Sequence, residues 1–190
     1  MRISPPLIVA GLCITLSLSA CSTHTSGNPL TDSRYADELA DTLANLIIQS
    51  DPLSKDPTML KTINDNIAMA KDMGNSARDQ MAEGMQGAII ALNQDVVGYV
   101  LTLDGTLYFS SEFVTDPGLD LHVYLTEAVD PRDGAFPDPS AVDLGKLQSP
   151  YGAQSYAITS KKSPELLRTF VLYDRTLNRI YGFAQLSKKP

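Results

Sequence analysis

The sequence predicts an α+β protein: a helical hairpin or three-helix segment followed by an all-β antiparallel sandwich or small barrel. Three observations carry this. Between Thr31 and Asn93 apolar residues recur at helical spacing, and from Asp95 onward they alternate with a period of two. The second half offers short apolar runs separated by turn residues, with no helical stretch to cover a parallel sheet. The chain has 190 residues, 43% of them hydrophobic, which is enough to build a packed core.

In the first helix Tyr35, Leu39, Leu43, Leu46 and Ile47 share one face, while Asp37, Asp41 and Asn45 take the other. Thr31 or Asp32 is placed to cap its start, and Asp51-Pro52 closes it. Asp56-Pro57 reads as an N-cap followed by proline at the first helical position, opening a second helix that buries Leu60, Ile63, Ile67 and Ala70. Gly74-Asn75 is expected to interrupt that helix. Ser76 and Asp79 then resemble a capping box for a third helix carrying Met81, Met85, Ala88 and Leu92. Methionines at this spacing read as core filler rather than ligands. No heptad register survives the breaks, so the helices form a hairpin or bundle rather than a coiled coil.

In the second half Val97, Tyr99, Leu101 and Leu103 alternate with Val96, Gly98, Val100 and Thr102. Asp104-Gly105 supplies a two-residue hairpin turn into Thr106 to Phe109. Pro117-Gly118 marks the next turn. Beyond it Leu119, Leu121, Val123 and Leu125 point one way, and Asp120, His122 and Tyr124 the other. Residues 127 to 150 read as a loop with four prolines and Asp130, Asp133, Asp138 and Asp143. Its spacing is not that of an EF-hand, and such loops are usually solvated turns, so no metal is predicted. Further strands are expected at 155–158, 168–173 and 179–186.

Function classes can be narrowed from composition. A net charge of −7 argues against nucleic acid or anionic headgroups as partners. His122 is the sole histidine of the β half, so it has no second histidine for a metal pair and reads as a packed or hydrogen-bonded residue. No Ser/His/Asp arrangement, Gly-rich phosphate loop or paired metal motif is recognisable, and no catalytic residue is assigned.

The N-terminus carries a resemblance. Arg2 is followed by an apolar stretch from Leu7 to Leu18, too short to span a bilayer comfortably, and then by Leu18-Ser19-Ala20-Cys21. This pattern resembles the lipobox of bacterial lipoproteins. It implies a signal peptide over residues 1–20, cleavage between Ala20 and Cys21, and acyl chains on Cys21 that hold the mature chain on a membrane. Ser22 is similar to an outer-membrane sorting signal, placing the chain in the cell envelope on the outer membrane facing the periplasm. Cys13 leaves with the signal peptide, so the folded body keeps no free thiol and no internal disulfide. Residues 21–30 read as a flexible tether, with His24 solvated, and residues 31–93 as the helical region.

The β half carries a second resemblance. The run Gly98 to Phe113, Asp116-Pro117-Gly118-Leu119-Asp120-Leu121-His122-Val123-Tyr124-Leu125, Val142 to Leu147, Gly152 to Tyr156 and Phe183-Ala184-Gln185-Leu186 together resemble the electron-transfer DM-thirteen domain, over residues 95–187. That resemblance implies a β module with a redox cysteine in a Val-Ile-Trp-Cys strand. Here the strand is Val171-Leu172-Tyr173-Asp174, so tyrosine replaces tryptophan and aspartate replaces the cysteine. Asp174 suits the start of a turn running to Asn178, and Tyr173 suits a ring buried in the sheet. Tyr173, Asp174, His122 and Tyr124 make up the candidate functional surface. The expected function is that of a lipid-anchored envelope protein whose β domain binds another envelope protein or a small ligand, with no cofactor predicted. Two alternatives are an envelope redox component that uses a bound cofactor, and a structural lipoprotein that self-associates through its helices.

Overall fold

The computed structural model describes residues 27–92 and 94–188, so residues 1–20, read above as a signal peptide, and Cys21 and His24 lie outside the described residues. Two helices pack against each other as an antiparallel hairpin, α1 (Pro29–Ile48) and α2 (Pro57–Glu83), joined by a 3-10 turn at Pro52–Lys55. Helix α1 starts earlier than the sequence reading placed it, and the tether does not reach residue 30. Asn28 is the cap, its side-chain oxygen accepting from the Leu30 N–H at 3.1 Å, and Pro29 occupies the first turn. Asp56 caps α2 by accepting from Thr58 and Met59.

The expected break at Gly74-Asn75 does not occur: α2 runs through it to Glu83. Gly74 is a packing residue there. A Cβ on it would lie 3.2 Å from the Ala36 Cβ of α1, and Ala36, Ala40, Ala70 and Ala77 are buried along the same seam. Small side chains let the two helix axes approach closely, and this offsets the helix-propensity cost of glycine, about 1 kcal/mol. Nor does a third helix form. Met85 and Ala88 lie in strand β1 (Met85–Ala88), and a second short strand, β2 (Ile90–Ala91), follows.

The remaining strands are β3 (Val96–Val97), β4 (Tyr99–Leu103), β5 (Thr106–Phe109), β6 (Val114–Thr115), β7 (Leu121–Thr126), β8 (Val142–Lys146), β9 (Ser155–Ala157), β10 (Thr169–Asp174) and β11 (Arg179–Gln185). They form a four-stranded sheet in the order β1-β4-β5-β9, a five-stranded sheet in the order β2-β11-β10-β7-β8, and the small pair β3-β6. Neighbouring strands pair antiparallel throughout, and the two larger sheets stay open rather than closing into a barrel. Asp104 and Gly105 both take positive φ, 48° and 71°, which gives the β4–β5 turn the right-handed twist its strands need. Strand β8 lies inside the segment read as a loop. It carries a bulge: Val123 and Tyr124 of β7 pair with Gly145 and Asp143, so Leu144 is the extra residue on β8, and Gly145 takes φ +115°.

The sheets bury a shared core. Val100, Leu107 and Phe109 come from the four-stranded sheet, and Val123, Leu125, Phe170 and Leu172 from the five-stranded one. The Phe109 ring is its hub, edge-on to Phe113 at 4.8 Å and to Phe170 at 5.3 Å, and tilted against Tyr156 at 5.5 Å. Leu119, expected in the inward row, is exposed, because the strand begins only at Leu121. The hairpin is fastened to the sandwich at its root, where the Asn28 side-chain amide donates to the Phe109 carbonyl and Arg34 pairs with Glu112 at 2.7 Å.

Candidate functional site

Asp174 ends β10 with its side chain wholly buried. One carboxylate oxygen accepts from the backbone N–H groups of Leu119 at 2.7 Å and Asp120 at 3.3 Å. The other accepts from Thr176 and Leu177, both at 2.9 Å. Two of these donors belong to the segment entering β7 and two to the β10–β11 turn, so one side chain ties together backbone some 55 residues apart. Burial pushes the Asp174 carboxyl up, but the four amides outweigh it and hold the group below the usual carboxylate range. Nearby, Arg175 donates its N–H to the Asp120 carbonyl at 3.0 Å, and the Tyr181 hydroxyl donates to the Pro117 carbonyl at 3.3 Å. Burial and the Asp174 charge push the Tyr181 phenol up. The chain must pass close to the carboxylate here, because a Cβ on Gly118 would sit 2.7 Å from an Asp174 oxygen and 2.6 Å from the Leu121 side chain. A carboxylate with both oxygens occupied by amides has neither a proton to give nor a lone pair free to attack. Its chemistry is that of a clamp.

His122 lies on the outer face of the five-stranded sheet with its side chain 12% exposed. Its Nδ1 is 3.0 Å from both Asp143 oxygens, and its Nε2 is 3.5 Å from Asp120. Lys146 pairs with Asp120 at 3.3 Å, and Arg175 approaches Asp143 at 3.6 Å. Burial pushes the Asp143 carboxyl up, but the His122 ring, the Gly145 N–H and the Tyr124 phenol outweigh it and lower it overall. Burial first, and then Asp143, push the Tyr124 phenol up to about 12. Each carboxylate thus has a basic neighbour, and the network is internally satisfied. Among the described residues no group of three or more His, Cys, Asp or Glu side chains has the geometry to hold a metal ion.

The same face carries an aromatic cluster. Tyr124 and Tyr173 stand edge-on at 6.1 Å, and Phe136, from the loop between β7 and β8, packs on them at 5.4 and 5.1 Å. The loop is drawn over the sheet by its own polar groups. Thr126 donates to Asp138 at 2.6 Å, the Asp138 oxygens also serve Ser140, and Arg132 both pairs with Asp130 and lies 5.2 Å over the Phe183 ring. The hydrogen-bonded Arg132 lowers the Asp130 carboxyl to about 2. Between loop and sheet is a cleft of about 460 Å³, lined by Leu92, Phe136, Tyr173, Ile180, Arg132 and Arg179 among others.

Of the four residues singled out from sequence, the fold brings Tyr124, Tyr173 and His122 to one face; the His122 and Tyr124 rings are 6.3 Å apart. Asp174 alternates to the other side of β10 and belongs to the clamp at the end of the sheet. The Tyr173 hydroxyl donates to Asn178 at 3.2 Å, and its ring is buried. Sequence reasoning missed Phe136, Arg132 and Arg179, and it listed Asp143 only as one acidic loop residue. No local signal marks them, since loop, β10 and β11 meet only in the fold.

Among the described residues no helix is long and apolar enough to cross a membrane. No curated protein and no solved structure matches the chain. The family model described as Electron transfer DM13 matches residues 89–186, and thus takes in β2 and the Leu92 and Asn93 positions that the sequence reading gave to the helical region. That match covers more than half of the 190 residues, and the chain belongs to the electron transfer DM13 family.

Proposed function

We propose that this is a lipid-anchored cell-envelope protein whose DM13 domain serves as a binding module, with the outer face of the five-stranded sheet as its docking surface. The observation that carries this reading is the Asp174 clamp. Where the resemblance places the family's cysteine, this chain has a carboxylate consumed by four backbone N–H groups. A carboxylate exchanges no electrons as a thiol does, so the position has passed from chemistry to architecture. The scaffold keeps a cleft with aromatic walls and guanidinium groups, a composition suited to recognition.

The anchor is tested by metabolic labelling. Wild-type chain is expected to incorporate palmitate and to fractionate with membranes, and Cys21→Ser to do neither. Membrane retention of the Cys21→Ser chain would count against the anchor. Docking is tested in cells with a photo-crosslinking amino acid. Placed at Ile180, on the cleft, it should give a discrete adduct; placed at the exposed Tyr151, away from the cleft, it should give none. Adducts of equal yield from both positions would remove the assignment of this face.

A second reading, a redox component with a bound cofactor, draws on the family's description and on the Tyr173 and Phe136 rings that line the cleft, with Tyr124 packed against both. It requires protein purified from its native host to carry a coloured group with a redox-sensitive spectrum.

A further inference from the structure

The helical hairpin has two unlike sides. Its seam is built from Ala36 and Ala40 of α1 and Ala70, Gly74 and Ala77 of α2, all buried. The residue after each seam position lies about 100° further round its helix, and the residue before it about as far the other way. After them come Asp37 and Asp41 of α1 and Lys71, Asn75 and Arg78 of α2. The Arg78–Asp37 ion pair at 3.0 Å shows that the two helices turn this side in the same direction. Before them come Tyr35, Leu39, Met69, Met73 and Ser76, on the opposite side, and none of these five carries a charge. Tyr35 and Met69 are 57% and 58% exposed, and Leu39 and Met73 are half-buried. Because Gly74 lies against Ala36, Met73 and Met69 fall within about 3 Å of the Leu39 level along the hairpin axis, so the three form one patch.

A helix whose apolar arc extends about a quarter-turn beyond its seam is built for two neighbours, as in a four-helix bundle, and here the hairpin supplies only one of them. The missing half is a second antiparallel pair of helices. From this we infer that a second copy of this chain provides it, two hairpins stacking through Tyr35, Leu39, Met69 and Met73 about a two-fold axis. Charge selects this occupant. Residues 29–83 carry ten acidic and five basic side chains, so copies that meet through their charged sides repel. The uncharged side is where like can meet like, and the centres of homodimer contacts are depleted of charge. A partner that recognises by opposite charge finds no counter-ion in this patch. The contact uses neither the cleft nor Asp174 and adds a second interface to the binding module.

The test places a photo-crosslinking amino acid at Met69 in the full chain in cells. The expected product has twice the chain's mass, and peptide mass spectrometry should find two segments of residues 29–83 joined in it. At Lys71, exposed on the charged side, the same amino acid should give no such product. With the crosslinker moved to Leu39, Met69→Asp should reduce the copy-to-copy product about tenfold or more, because a two-fold contact meets the new charge twice. Lys71→Gln should leave it unchanged. Met69 is more than half exposed, so its substitution leaves the seam intact, which unchanged far-ultraviolet circular dichroism verifies. No doubled product from Met69, adducts to lipid or to a different protein alone, equal product from Lys71, or indifference to Met69→Asp would each overturn the inference. Crosslinks from Ile180 report on the cleft separately, so failure of this contact leaves the docking face standing.

Discussion

Asp174→Ala is expected to lower folding stability by about 3–5 kcal/mol, a drop in melting temperature of roughly 10 °C, the largest single-residue effect outside the aromatic core. The reason is the asymmetry of buried polar groups. The carboxylate, itself buried, satisfies four backbone N–H groups, and removing it leaves four part-buried donors without their acceptor, opens a void at the buried side chain and frees the segment before β7 from the β10–β11 turn. Asp174→Asn, which keeps one acceptor oxygen, should lose less. Asp174→Cys, the residue the resemblance places there, should lose nearly as much as alanine, because sulfur is a weak acceptor. A cysteine variant as stable as the parent in differential scanning calorimetry would refute the clamp. The same group sets an acid limit. Its carboxyl is lowered in the folded state, so folding binds fewer protons there. The stability it supplies is complete above the unfolded carboxylate value near 4 and drains away as the pH falls through the folded value. Asp174→Ala should therefore flatten the acid side of the stability profile.

Phe109→Ala should cost a comparable amount, about 3–5 kcal/mol, for a different reason. Its ring touches Phe113, Phe170 and Tyr156 across both sheets and is completely buried, so truncation opens a cavity that two hydrogen-bonded sheets cannot collapse to fill. In urea the midpoint should fall with an unchanged slope, the mark of lost packing rather than of a looser denatured state. Tyr108→Ala, one residue earlier and facing out of the same strand, should change the midpoint little. Equal effects from the two would mean that the sheets do not pack as described.

The sequence was legible where its signals are local. Asp104-Gly105 fixes a turn through two positive-φ residues, and Asp56-Pro57 fixes a helix start through a cap and a preset φ. It misled where one residue type has two uses. Gly74 looked like punctuation and is a contact point with Ala36, a distinction that exists only once a second helix is present. Strands β1, β2 and β8 carry too few alternating residues to show a period, and they become strands by pairing with longer neighbours. For the site, the departure at Asp174 was visible in the chain, but its four donors, two of them from the segment before β7, were not. The cleft was invisible altogether, since it arises when a polar-tied loop folds back over the outside of a sheet.

The fastening of α1 to the sandwich also bounds how far the domain would reach from the proposed anchor. Asn28 is locked to the Phe109 carbonyl, so any slack between an anchor at Cys21 and the folded body ends there. Seven residue steps span at most roughly 25 Å when fully stretched. Under the proposed anchor at Cys21, the domain would be confined to a thin layer against the bilayer. The proposal then requires whatever occupies the cleft to come within that layer, either as a molecule that diffuses along the membrane surface or as one handed over by a neighbour standing on the same membrane.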